Sequence, residues 1–185
     1  MSNTMDEIKA ALLGSARAAI LHETVAILAL DPVGRLLMFL RQKPPIGWTL
    51  PAGHWERNES SLDAAIRELQ EEIGLRVSPE RMHQVGELMP SHDQPVTCRR
   101  SSLTTHRYHV FSVSLTREEC SRIALSDEAD PRNRWLWIPI DHILLHEMPE
   151  PPEKLTPGTR FVLNNSRIRA ELRSIASAGL CAQGS

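Results

Sequence analysis

GHWERNESSLDAAIRELQEEIGL, residues 53–75, changes character part-way along. Up to Asn58 it has no apolar repeat and reads as a loop, with Gly53 and Asn58 where an unusual backbone turn is cheap. From Ser60 it reads as a helix. Ser60 and Asp63 have the spacing of a capping box, in which side chains satisfy the free N–H groups of the first turn. Leu62, Ala65, Ile66, Leu69 and Ile73 recur at helical spacing as one apolar stripe. Gly74 follows as a residue able to take the left-handed conformation that ends a helix.

The other face of this helix is acidic. Glu68 and Glu72 are four residues apart and Glu71 is three from Glu68, so the carboxylates are neighbours on the surface. Like charges at this spacing cost roughly a few tenths of a kcal/mol per pair, and Arg67 alone cannot neutralise Glu59, Glu68, Glu71 and Glu72. A hard divalent cation bound through oxygen is the natural partner, and Mg²⁺, which combines a few carboxylates with substrate phosphates, suits it best, with Mn²⁺ as a substitute. The plain alternative is a solvated acidic face.

The full spacing decides between them. Gly53, Glu59, Arg67-Glu68-Leu69, Glu71-Glu72, Gly74 and Leu75 fit G-x5-E-x7-R-E-U-x-E-E-x-G-U, with U a bulky aliphatic residue. This resembles the Nudix box of the Nudix hydrolases at every defining position, and residues 47–52 resemble its usual lead-in. Arg57-Asn58 stands where the family usually has a Pro-Gly turn, a departure that touches no carboxylate. The resemblance implies an α/β/α sandwich around a mixed sheet. It also implies hydrolysis of a nucleoside diphosphate linked to another group, by attack on one phosphorus of the pyrophosphate. Glu68 and Glu72 are then the principal metal ligands, Glu71 a ligand or base, and the Ala52 carbonyl a backbone ligand. Arg67 and Glu59 would brace the loop against the helix.

Other candidates lie outside the box. The resemblance suggests a catalytic carboxylate from a loop before a late strand. Glu128 and Asp130 are suitably placed, with Glu118, Glu119 and Asp127 as rivals. Arg41, Arg99 and Arg100 could bind phosphate through their guanidinium forks. Trp48, Trp55 and Tyr108 could stack a base, although core packing suits Trp48 better. The histidines show no close ligand pair, and His106 and His109 fall on opposite faces of their strand. Pro90, fifteen positions beyond Leu75, lies close to where a proline marks the ADP-ribose-hydrolysing branch of the family. It also reads as an ordinary strand-ending proline. The rival reading of (d)NTP pyrophosphatase stays open. So does that of a non-catalytic nucleotide-sensing domain, although no box carboxylate is damaged.

The chain of 185 residues has room for one domain, with residues 1–22 as a helical extension and residues 158–178 as a C-terminal helix. A net charge of −2 gives no general reason to expect nucleic acid or membrane as partner, and a small nucleoside diphosphate derivative is expected instead. No apolar run approaches the ~18 residues of a membrane span. The first residues do not form a convincing signal peptide, and Cys98, Cys120 and Cys181 lack metal-binding spacing, so a cytoplasmic protein is expected, with a homodimer allowed. Residues 23–30 (ETVAILAL) and 35–41 (RLLMFLR) flank the turn at residues 31–34 and read as a hairpin. Their lack of alternation means that both faces of the sheet are covered. Further strands are expected at residues 82–89, 105–115 and 134–140, short helical turns at 116–123 and 141–145, and a polar loop at 91–102.

Overall fold

The computed structural model describes residues 20–89, 104–126, 134–145 and 155–182. Its centre is strand β1 (Ile20–Leu30), an eleven-residue run. β1 turns through Asp31 into β2 (Arg35–Arg41), with Leu30 opposite Leu36. The Asp31 carboxylate closes this turn by accepting the N–H groups of Val33 (3.1 Å) and Arg35 (2.8 Å). β3 (Gly47–Thr49) and β4 (Ala52–His54) are short, and β4 lies antiparallel to β1 with Val25 opposite Gly53. β5 (His83–Leu88) is antiparallel to β6 (Thr104–Ser114), which runs parallel to β1 along its whole length. β7 (Trp135–Pro139) pairs with β2. The result is a mixed sheet of seven strands in the order β3-β2-β1-β6-β5, with β4 on β1 and β7 on β2.

Helices cover both faces, as the unbroken apolar runs require. Alternate residues of a strand point to opposite sides. Val25, Ile27 and Ala29 therefore meet Ala65, Leu69 and Ile73 of α1 (Ser61–Ile73). Ala26, Leu28 and Leu30 lie in a second core with Ile143, Val162, Ile168 and Leu172. That core is closed by α3 (Ile140–Leu144), α4 (Pro157–Asn164) and α5 (Ser166–Ala182). Each fully buried aliphatic side chain contributes about 1.5–3 kcal/mol, so these two layers dominate the stability.

Three expectations need correction. The helix expected at residues 158–178 is divided, because Asn165 is extended (φ −69°, ψ 133°). Its side chain accepts the N–H of Arg167 at 3.0 Å and so opens α5. The apolar spacing ran across this break because Leu163 and Ile168 are buried in the same core. The N-terminal helix lies outside the described residues, except that Ile20, Leu21 and His22, placed at its end, already belong to β1. Glu119, a rival catalytic carboxylate, is structural. It sits in α2 (Arg117–Ser121), accepts the N–H of Thr116 and takes both terminal nitrogens of Arg81 at 2.6 and 2.9 Å.

The Arg81 pairing, with smaller help from Thr116, lowers the Glu119 pKa from its ordinary 4.5 to about 2. A carboxylate with a depressed folded-state pKa stabilises the fold above its unfolded pKa, and the gain is lost as pH falls through the folded one. Glu119→Gln should thus cost about 1 kcal/mol at neutral pH, discounted for partial exposure and including the weakened cap. Denaturant midpoints of mutant and wild type should differ at pH 7 and converge between pH 4.5 and about 2. A gap unchanged across that window would show that the ion pair contributes nothing.

Candidate active site

α1 sets the site because both its ends are fixed. Ser60 accepts the Asp63 N–H at 3.1 Å while Asp63 takes the Ser60 N–H in return, and Gly74 ends the helix at φ 73°. On the face turned to β4 lies a network centred on Arg67. Its guanidinium donates to Glu59 through Nε (3.1 Å) and Nη2 (2.8 Å), and to the His54 carbonyl at 2.9 Å. Nη1 reaches Glu68 at 2.8 Å and Glu71 at 3.1 Å. Glu59 in turn accepts the Glu56 N–H at 2.6 Å, tying the loop to the helix. The bond from Arg67 holds the Glu59 carboxyl below its usual range, and the same bonds raise the Arg67 pKa further.

Glu68 and Glu72 are both 8 % exposed, which is unusual for carboxylates. Burial raises the Glu68 pKa, and the Arg67 guanidinium offsets this only in part. Glu72 accepts the Ala52 N–H at 2.7 Å, while its other oxygen stands 4.0 Å from Arg41 Nη1. Gly53 has a role that loop reasoning missed. It sits in β4, and a Cβ built there would lie 1.9 Å from the Glu68 carboxyl carbon. The glycine clears space for the carboxylate, whereas Asn58 supplies the left-handed turn at φ 70°.

These groups line one cavity of about 900 Å³, shared by Arg41, Ala52, Arg67, Glu68, Glu71 and Glu72. Thus the structure gathers all the box candidates and Arg41. Glu128, Asp127, Asp130, Arg99, Arg100 and Pro90 lie outside the described residues. Glu118 is exposed beside Arg122. Trp48 is core, as expected, and Trp55 donates its indole N–H to the Glu59 carbonyl. Tyr108 is buried and stacks on His106.

A NUDIX domain model matches residues 20–158. The chain belongs to the Nudix family. An RNA pyrophosphohydrolase of Xylella fastidiosa (strain M12) is 33 % identical over 112 residues, 54 % of this chain and 56 % of the relative. The chain therefore matches this relative over about half of its length. Phosphatase NudJ of Escherichia coli (strain K12) is 50 % identical over 40 residues, 20 % of this chain and 26 % of that protein. Among solved structures, a MutT/nudix family protein from Enterococcus faecalis has a TM-score of 0.57 at 14 % identity. That alignment covers 92 % of this chain and 74 % of the other, and it is a likeness of fold.

The Nudix box residues also pass a chemical test for a hard divalent cation. Glu68, Glu71 and Glu72 offer only oxygen, the donor that Mg²⁺ and Mn²⁺ prefer. Glu68 is pressed toward neutrality by burial, so a cation beside it would restore the charged form.

Sequence reasoning missed one cluster beside the box. His22 of β1, His54 of β4 and His106 of β6 bring one ring nitrogen each within 4.8 Å of one another. Strand register assembles them: His22 is opposite His106, and His54 is opposite Thr24 on the other side of β1. Spacings of dozens of residues carry no such signal. Burial, with the neighbouring His54 and His22 rings, lowers the His106 pKa to about 4, so its imidazole is neutral at physiological pH.

Proposed function

We propose that the chain is a divalent-metal-dependent pyrophosphohydrolase acting on a nucleoside diphosphate linked to a second group. The observation that carries this reading is the pair of buried carboxylates, Glu68 and Glu72, facing a cavity of about 900 Å³. That volume is ample for a nucleotide derivative. Buried acids with no catalytic or cation-binding use are a poor bargain for stability, since charge burial is costly unless it is compensated.

The roles follow from position. Glu68, Glu72 and Glu71, with the Ala52 carbonyl, would hold Mg²⁺ or Mn²⁺. When bound, such an ion neutralises phosphate charge and lowers the pKa of water. Arg67 braces the loop and helix through Glu59 and the His54 carbonyl, which keeps the carboxylates aligned. Glu71, exposed at the end of the Arg67 network, would serve as a further ligand or as the base that takes the proton of the attacking water. Water adds its oxygen to one phosphorus, the bridging P–O bond breaks, and the leaving phosphate carries away the electron pair. Phosphoryl transfer of this kind depends on positioning and charge stabilisation more than on covalent chemistry. Arg41, lining the same cavity, is suited to a phosphate oxygen. Glu128 is the proposed carboxylate from outside the box, and Arg99 and Arg100 further phosphate contacts.

Within this class we favour ADP-ribose or a similar nucleotide sugar over a triphosphate, on the position of Pro90. Assays with Mg²⁺ of ADP-ribose, nucleotide sugars, dNTPs and 5′-triphosphorylated RNA, with products separated by chromatography, provide the test. The RNA arm is motivated by the relative named an RNA pyrophosphohydrolase. Two monophosphates should appear from ADP-ribose at the highest kcat/KM. Faster release of pyrophosphate from a triphosphate would overturn the substrate choice, and no turnover of any kind would favour a nucleotide-sensing domain. The cytoplasm is the proposed compartment. Among the described residues no helix is long and apolar enough to cross a membrane.

A further inference from the structure

We propose that His22, His54 and His106 form a second metal site, distinct from the carboxylate box, that takes Zn²⁺ or a similar borderline-soft ion. Their rings pack as a triangle, with centroids 5.3, 5.6 and 5.4 Å apart. Two observations point to a ligand. His106 is 5 % exposed, and its Nε2 is buried without a hydrogen-bond partner. His22 Nδ1 is likewise buried and unpartnered. Buried polar atoms normally find partners, and two orphans in one cluster of metal-binding side chains mark a place that something else completes.

The chemistry of the cluster selects the ion. Neutral imidazole is a common ligand for Zn²⁺ and its neighbours Co²⁺ and Ni²⁺, whereas Mg²⁺ prefers oxygen. Thr24 Oγ1 lies 2.8 Å from His106 Nδ1. When the hydroxyl accepts the Nδ1 proton, Nε2 is left with a lone pair that can bind a metal. Such an outer hydrogen bond commonly orients a metal-binding histidine. Tetrahedral Zn–N bonds of ~2.0–2.1 Å require nitrogens roughly 3.4 Å apart, so nitrogens now within 4.8 Å of one another must draw together by up to about 1.4 Å. Side-chain rotation supplies a movement of that size. Three histidines leave a fourth position on such an ion, as in catalytic zinc sites. His54 and His106 both line the large cavity, so the ion would border the same space as the box. His54 also links the two sites, because its carbonyl accepts Arg67.

The site can be tested without substrate, so its failure is separate from failure of the hydrolase reading. Full-length chain without a histidine tag, stripped by chelator, is titrated with Co²⁺ and followed by visible absorption. About one equivalent should bind with the strong bands of a four-coordinate ion, resist millimolar Mg²⁺ and be displaced by Zn²⁺. His22→Ala and His54→Ala should each weaken binding at least about tenfold, while Glu72→Gln leaves it intact. Circular dichroism checks the fold of each variant. For a variant that fails to fold, ring ¹⁵N signals of the wild type decide: Zn²⁺ should move three histidines together. Absence of Co²⁺ uptake, or uptake that survives loss of both His22 and His54, or no movement of histidine signals, overturns the proposal.

Discussion

Glu72→Gln should reduce kcat by at least about 10²-fold while the protein stays folded, comparable with removing one main electrostatic stabiliser from an active site. The substitution suits the geometry. Glu72 accepts the Ala52 N–H at 2.7 Å, and a glutamine carbonyl oxygen can accept the same bond. One negative charge is lost, and nothing else of similar size changes. The i,i+4 repulsion with Glu68 is relieved while the 4.0 Å pairing with Arg41 is weakened, so stability should stay close to that of wild type. A second readout separates metal binding from other roles. A cation that binds only the folded arrangement stabilises it by RT ln(1 + [L]/Kd). Millimolar Mg²⁺ or Mn²⁺ should raise the wild-type Tm over that in EDTA, and the rise should shrink or vanish in Glu72→Gln. Wild-type-like turnover in the mutant, or melting curves of the wild type that ignore metal, would remove Glu72 from the metal site.

What the sequence made legible was local. The hairpin could be read because Asp31 to Gly34 is turn chemistry and the flanking runs are apolar throughout. The α1 stripe, its Ser60 cap and its Gly74 terminus all lie within one stretch, and each has a short-range cause. The box carboxylates were likewise placed by helical spacing, and their gathering at one cavity follows from that placement. What stayed hidden depends on contacts between distant segments. His22, His54 and His106 meet only through the register of three strands. Arg81 finds Glu119 across 38 positions, which turned a candidate catalytic acid into a brace. The split at Asn165 was masked because the apolar spacing continues on both sides of a one-residue break. Gly53 was read as a turn residue, since a glycine in a polar loop gives no hint that a carboxylate lies against it.

That last contact leads to the second large effect. Gly53→Ala should lower kcat by about 10²-fold or more, although alanine is the smallest change available and touches no charge. The Gly53 backbone is part of β4 and is not among the described positive-φ glycines, so alanine meets no special backbone strain. The obstacle is the Glu68 side chain, whose three carboxyl atoms would lie 1.9 to 2.2 Å from the new Cβ. No carbon tolerates such an approach, and the backbone is held by pairing with Val25. Glu68 must therefore leave its rotamer, at a cost of roughly 0.5–1.5 kcal/mol if it moves off a staggered position. Its bond to Arg67 and its position beside Glu72 go with it. The fold should survive, because the moving group is the far end of a flexible side chain. A double-mutant cycle identifies the cause. Residues in contact give non-additive effects, so Gly53→Ala should cost little more on a Glu68→Ala background, where the carboxyl it displaces is already gone. Losses that add in full would mean that Gly53 acts through the shape of its strand, and an unimpaired Gly53→Ala enzyme would mean that the position of Glu68 does not govern the rate.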